Sequence, residues 1–550
     1  MGRRFSALLA LLVFPVLLSL PVLAADVPAA LAPGYNSIRA TSLQANLTFL
    51  ASDALEGRLS LTRGSEVAIE WIRAEFAKAG LKPIAGGSYL QPVALWDYRP
   101  DRQHGFILVQ QGGKQIQFSF PDAFGQFPDD VNLSGGVVFA GYGITAPELG
   151  YDDYRNIDAK GKIVLVFDHE PQETDPKSIF NGTGNTRYAT TRVKALNAQA
   201  HGASGLLIVA EPNRKHPSNQ ERQARIAGGA QRVARIPSEA IVDDELHIPS
   251  IVLSDLAAAN ILAPLGVTPA DLQAAIDKDL RNVSRVVPST EVSIHLQNSE
   301  RRRGVSYNVA GLLEGSDPTL AAETIVISGH YDHDGAAYAD PGATPQIWHG
   351  ADDNGSGTVG VVELAHAFAR NPQRPKRSIL FIVFAAEERG LLGSYYYVQH
   401  PLRPLESTRA VINFDMIGRN EETSEQTKGL IEIAADTSNE LNLIGTNYSP
   451  DYRRTVETAN QTVGLHLNYK WDQEASLNVF FRSDQFPFAL RGIPAMWWFT
   501  GFHPDYHQTT DTADKINYAK MEKILKLAYL SAWTFAGEAA PPAFNLRTNQ

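Results

Sequence analysis

Apolar residues recur at helical spacing through residues 42–81: Leu43, Leu47, Leu50 and Leu55, then Ala68, Ile69, Ile72, Phe76 and Ala77. The spacing predicts helices there, one of them over 66–79 with Gly80 as its stop. From about residue 132 the texture changes. Short unbroken apolar runs, Val137-Val138-Phe139, Ile163-Val164-Leu165-Val166-Phe167, Leu206-Leu207-Ile208-Val209 and Ile251-Val252-Leu253, predict strands. Glycines at Gly141, Gly143 and Gly161 punctuate the turns. A helix is expected over 191–199, and the polar, arginine-bearing stretch 213–235 reads as a loop. Beyond residue 320 strands and helices alternate: strand 324–328, helix 357–370, then strands 378–385 and 410–413. Such alternation predicts an α/β fold, an open and mostly parallel sheet covered by helices on both faces.

Composition narrows the class. A chain of 550 residues exceeds one compact core and implies two to four domains. With 44% hydrophobic and 20% charged residues it reads as globular. A formal charge of -11, and no basic run beyond Arg301-Arg302-Arg303, argue against nucleic acid as a partner. Arg3 and Arg4, the apolar stretch that follows and Val22-Leu23-Ala24 fit a secretory leader over residues 1–24. The expectation is a secreted or periplasmic protein with no membrane attachment after cleavage. The chain has no cysteine. Disulfides are excluded, and any metal site must use His, Asp and Glu, a donor set suited to catalytic rather than structural zinc.

Five segments then hold acids and histidines where chemistry could sit. His330-Tyr331-Asp332-His333-Asp334 follows a predicted strand, where ligands bind in open α/β sheets. Asp352-Asp353-Asn354-Gly355-Ser356 precedes a helix and reads, alone, as an ordinary cap. Glu387-Glu388 closes a very apolar strand, where adjacent carboxylates repel unless a metal or protons relieve them. Asp415 lies among apolar residues at another strand end and needs a cation or donors. His503 and His507 stand in a loop before the C-terminal helical stretch. Each segment alone has a plain structural explanation; the five in this order do not.

The order His330, Asp353, Glu387-Glu388, Asp415, His507 resembles the co-catalytic zinc aminopeptidase family, which also includes glutamate carboxypeptidases and glutaminyl cyclases. The flanks Ala-Ala-Glu-Glu-x-Gly-Leu-x-Gly-Ser and His-x-Thr-Thr-Asp-Thr match as well, and the likeness runs from about residue 42 to 529. Residues 132–287 resemble a protease-associated domain, carried by Phe139-Ala140-Gly141-Tyr142-Gly143 and Gly161-Lys162-Ile163-Val164. The implied organisation is a leader over 1–24, an N-terminal part of the peptidase over 25–131, a β-rich insert over 132–287 and the metal-bearing part over 288–550.

The resemblance implies two zinc ions per chain. Asp353 would bridge them, His330 and Asp415 would hold one, and Glu388 and His507 the other. Glu387 would be the general base toward a metal-bridging water, and Asp332 would orient His330. It also implies a cis Asp353–Asn354 peptide bond. The tyrosine that some relatives carry before a Ser-Asp pair is absent here, where Phe480-Phe481-Arg482-Ser483-Asp484 stands. The reading is an aminopeptidase acting on peptides. The alternatives are a carboxypeptidase for acidic peptides, a glutaminyl cyclase and a receptor-like protein without catalysis. Carboxylates counted as spare, Asp332, Asp334, Asp352, Glu387 and Asp505, favour capture of a free amine.

Overall fold

The computed structural model describes residues 27–545 except 183, 216–217, 219–220, 222–235, 341 and 475–476. The leader expected over 1–24 and most of the loop expected over 213–235 lie outside the described residues. Four apolar runs pair in parallel at the centre of a ten-stranded sheet, in the order Ser378–Phe384, Thr324–His330, Thr408–Phe414, Ala495–Phe499. Every residue of Thr324–His330, Ser378–Phe384 and Ala495–Phe499 is buried, as expected where helices cover both faces of a parallel sheet. Alternation within each strand divides the core. Ile325, Ile327, Phe381 and Ile412 pack on one face with helices Arg63–Lys78, Gly357–Ala369 and Tyr518–Gly537. Val326, Leu380, Ile382 and Val411 pack on the other with Tyr397 and Phe488.

Antiparallel strands flank this centre. On one side Asn298–Leu313 pairs with Ser378–Phe384 and with Leu90–Pro100. On the other, Glu440–Ile444 pairs antiparallel with Ala495–Phe499. The observed helices and strands match the periodic stretches closely: Arg63–Lys78, Thr191–Ala200 and Gly357–Ala369 are helices, and Ile163–Phe167 and Gly205–Val209 are parallel strands. Among the described residues no helix is long and apolar enough to cross a membrane.

A second, eight-stranded sheet has its own apolar core around Val137, Phe139, Leu165, Phe167 and Ile294. Its strands begin at Phe106–Gln111 and end with Arg285–Leu296, so the sheet reaches outside residues 132–287 on both sides. Ser238–Ile241, inside that range, leaves it and pairs with Leu90–Pro100 at the edge of the ten-stranded sheet. The two sheets also meet through Arg192, whose guanidinium lies 4.2 Å from the centre of the Tyr395 ring while two of its nitrogens bond Asp244 at 2.6 and 2.8 Å.

This second unit buries carboxyls. Asp153 accepts from the backbone N–H of Tyr142 and Ile144 and from Tyr151 Oη, and Glu170 accepts from Thr186. Burial pushes Asp153 up to about 7 and Glu170 up to about 8. Both folded-state values lie above the unfolded ones, so between about pH 4 and pH 8 the folded state holds more protons than the unfolded. Stability should therefore fall as pH rises through that window. Lys194, lowered to about 8 by burial, acts only above it. We expect the melting temperature to decline from pH 5 to pH 8 and the slope to flatten in Glu170→Gln; an unchanged slope in that variant excludes Glu170 as a cause.

Candidate metal centre

The central parallel strands end on one edge, and the chemistry-bearing side chains gather there. His330 is the last residue of Thr324–His330, Asp415 follows Thr408–Phe414 directly, and Glu387 and Glu388 follow Ser378–Phe384 by one short turn. Asp353 comes from the turn preceding Gly357–Ala369, and His507 from the segment after Ala495–Phe499. Ala386, Met416 and His507 adopt left-handed backbone with φ of 53°, 59° and 56°. Each such non-glycine residue costs about 1–3 kcal/mol, and such residues cluster where a site dictates side-chain direction. The Asp353–Asn354 peptide bond is cis, as the resemblance implies. Asn354 fixes this turn by accepting from Gly357 N and Met416 N and donating to Phe414 O.

All five expected ligands converge. His330 Nε2 lies 3.6 Å from Asp353 Oδ1 and 3.5 Å from Asp415 Oδ1. On the other side, His507 Nε2 lies 3.0 Å from Asp353 Oδ2 and 3.6 Å from Glu388 Oε2. The two oxygens of Asp353 thus face two different imidazoles. Asp352, its neighbour, points elsewhere: its Oδ1 accepts from Gly418 N at 2.6 Å, and its Oδ2 sits 3.3 Å from His503.

Two side chains join the five. Glu387 Oε2 is 3.6 Å from His330 Nε2, and His333 Nδ1 is 2.8 Å from Glu388 Oε1. His330, Glu387 and Asp415 could share one ion, and His333, Asp353 and Glu388 another, each set offering atoms within 4.8 Å of one another. His333 was not singled out in the sequence; its place two residues after Tyr331 in a His- and Asp-rich run was the available signal. A further gathering, His169, Glu173 and Glu211, belongs to the second sheet.

The orienting carboxylates differ from the expectation. Asp332 does not use its carboxylate on His330; the closest oxygen is 3.8 Å from Nδ1, and it is the Asp332 carbonyl that approaches Nδ1, at 3.2 Å. Its carboxylate instead accepts from the backbone N–H of Glu387 at 3.0 Å and Glu388 at 3.2 Å, which sets the glutamate turn. Asp334 takes the expected kind of role on the other histidine, with Oδ2 3.1 Å from His507 Nδ1 and Oδ1 held by Arg389 at 3.0 Å. Ser483 donates to Asp415 Oδ2 at 2.6 Å, and Asp511 accepts from the backbone N–H of both Asp352 and Asp353.

These contacts also correct the count of spare acids. Asp505 is taken by Arg419 at 2.9 Å and Lys515 at 2.7 Å, while Asp332, Asp334 and Asp352 are engaged as above. Glu387 remains, together with Asp484, which accepts from Ser394 at 2.5 Å and whose Oδ2 is buried without a hydrogen-bond partner among the described residues.

The donor set fits a cation. Burial pushes Glu387 well up, with Asp415, Glu388 and Asp484 adding to it, and raises Asp353 and Asp332; Asp484 rises to about 7. Burial alone would lower His330, yet the Glu387 and Asp415 carboxylates outweigh it and raise it well above an ordinary imidazole. Carboxyls and imidazole shifted upward together mark a surplus of negative charge in low dielectric. His330 Nε2 and His333 Nε2 are buried and make no hydrogen bond among the described residues. Divalent cations held between these oxygens and nitrogens relieve both conditions.

Comparison with known proteins agrees in kind. The family model described as Peptidase family M28 matches residues 308–531, and that of the PA domain matches 131–261. The chain is 31% identical to "Aminopeptidase YwaD" of Bacillus subtilis over 402 residues, 71% of this chain and 67% of that protein. It is 29% identical to a "probable leucine aminopeptidase 2" of Aspergillus oryzae over 227 residues, 41% of this chain and 40% of the relative. Of the first curated relatives it matches, the chain spans about half the length or less: 40%, 52% and 36%. Among solved structures, an aminopeptidase from Aneurinibacillus sp. strain AM-1 aligns over 94% of this chain and 98% of that one, with 18% identity and a TM-score of 0.48.

Proposed function

The chain belongs to peptidase family M28, and on that premise we propose that it is a secreted, zinc-dependent aminopeptidase that hydrolyses the N-terminal peptide bond of peptides. The observation that carries the reading is Asp353, whose two oxygens face His330 Nε2 at 3.6 Å and His507 Nε2 at 3.0 Å. In this reading Asp353, His330 and Asp415 would hold one zinc ion, and Asp353, Glu388 and His507 the other. Bound there, the metals would activate a water at neutral pH and polarise the scissile carbonyl.

The remaining steps belong to the chain. Glu387 takes the proton of the attacking water and returns it to the leaving amine. Asp334 keeps Nε2 of His507 turned inward by holding Nδ1, and Ser483 fixes the rotation of the Asp415 carboxylate. Asp332 holds the turn that separates Glu387 from Glu388, so that the neighbours serve different tasks.

Removal from the amino end is supported by the relatives, two of which are named aminopeptidases, and by the arginines. A carboxypeptidase needs a free guanidinium fork for the terminal carboxylate. Arg389 is closed by Asp334 and Arg419 by Asp505. Arg482 has no carboxylate partner among the described residues; it donates to Gln426 Oε1 and Tyr506 Oη and is a candidate for the alternative. The test combines zinc analysis of the purified protein with three versions of one peptide: free, N-acetylated and C-terminally amidated. Acetylation should abolish cleavage and amidation should matter little. The opposite pattern replaces this reading with a carboxypeptidase, and an absence of zinc and of any cleavage leaves the receptor-like alternative. Mass analysis of the exported protein, expected to begin after residue 24, tests secretion.

A further inference from the structure

Arg58 lies far in sequence from every segment above, yet it reaches two of them. Its side chain is 1% exposed. Nε donates to Tyr331 O at 2.7 Å, Nη1 to Leu50 O and His349 O at 2.7 Å each, and Nη2 to Gly350 O at 2.8 Å. Its own carbonyl accepts from His333 N at 3.3 Å. Four of the five guanidinium donors thus end on backbone carbonyls. Among the described residues Arg58 forms no ion pair with a carboxylate, an unusual state for a buried arginine.

The carbonyls are not scattered. Tyr331 adjoins His330, and Gly350 stands three residues before Asp353. A rigid planar fork that bonds both segments fixes the distance between His330 and Asp353. No other residue described above bonds the backbone of both. Burial lowers the guanidinium to about 10, still charged at neutral pH; Asp511, Asp332, Asp353 and Glu388 favour that charge from a distance.

We propose that Arg58 is a positioning residue of the metal centre, setting the spacing of the His330 and Asp353 segments through its bonds to the carbonyls of Tyr331, His349 and Gly350. The proposal rests on the assignment of His330 and Asp353 as zinc ligands.

Lysine keeps the charge but offers one ammonium, which cannot reach carbonyls on three sides. Arg58→Lys should therefore bind zinc about 10- to 100-fold more weakly, the usual loss when a partner behind the ligands is removed. Its turnover should recover in excess zinc with KM unchanged. A control, Phe76→Leu, alters the core of the next helix and should lower the melting temperature with no change in zinc affinity. If Arg58→Lys also melts lower but its folded form binds zinc as tightly as the unsubstituted protein, Arg58 is merely structural and the proposal fails. If Arg58→Lys is unaffected and only Arg58→Met loses zinc, charge rather than spacing is the cause, and the proposal fails too.

Should neither variant fold, hydrogen exchange in the unsubstituted protein decides. Coupling is reciprocal, so zinc must protect residues 56–60 together with 331–333 and 349–353. Zinc-independent exchange in 56–60 overturns the proposal. Failure of the unsubstituted protein to bind zinc at all would instead sink the functional reading on which it rests.

Discussion

Glu387→Gln is expected to keep zinc and fold while losing turnover by about 10²–10⁴-fold, the range for removal of a general base. Glutamine preserves the volume and one acceptor oxygen but cannot take a proton. The backbone of the turn is unaffected, because Asp332 binds the N–H of residue 387 and not its side chain. Glu387 is 8% exposed and its Oε2 stands 3.6 Å from His330 Nε2, at the rim of the proposed site. The neighbouring substitution separates the roles. Glu388→Gln should lose metal first, because Glu388 faces His333 at 2.8 Å and His507 at 3.6 Å. Zinc content and kcat measured on both variants check the pair. Full turnover in Glu387→Gln removes that residue from the mechanism. Loss of zinc in the same variant makes Glu387 a ligand, as its place beside His330 and Asp415 allows.

Asp353→Asn is expected to have the larger effect, loss of both metals and of all detectable hydrolysis. A ligand held by one ion weakens one site; a carboxylate shared by two weakens both and also leaves the two cations closer to direct repulsion. His507→Ala should by contrast retain the ion at His330. Stability gives an independent readout. Metal-free, the site crowds carboxylates whose burial already pushes Asp353, Glu387 and Asp332 upward. Zinc should relieve this and stabilise the protein by about 2.7 kcal/mol at a hundred times its Kd, per site. The unsubstituted protein should therefore melt higher with added zinc and lower with chelator, whereas Asp353→Asn should be insensitive to both. An Asp353→Asn variant that still carries two zinc ions would falsify the bridging assignment.

The residue sequence by itself determined three of the four central parallel strands and the five acid- and histidine-bearing segments, three of which stand at strand ends. The reason is physical. A strand covered on both faces must be apolar throughout, so Ile379 to Phe384 and Ile325 to Ile327 stand out as unbroken runs. Acids that directly follow such runs, as Asp415 and Glu387-Glu388 do, are visible because burial without a partner is costly.

Tertiary structure alone decided the division of labour within each segment. Asp332 and Asp334 are both acids two residues apart, yet one holds a backbone turn and the other a histidine ring. Which does which depends on side-chain direction in a turn, where no period of 2 or 3.6 applies. The pairing of Ser238–Ile241 with Leu90–Pro100 was equally hidden, since an edge strand is short and partly polar. Arg58 marks the limit most plainly. Nothing in its neighbours announces an arginine with four carbonyl partners, because those carbonyls come from residues 50, 331, 349 and 350 and carry no side-chain signature. Backbone oxygens are the same at every position; only the fold decides which of them meet.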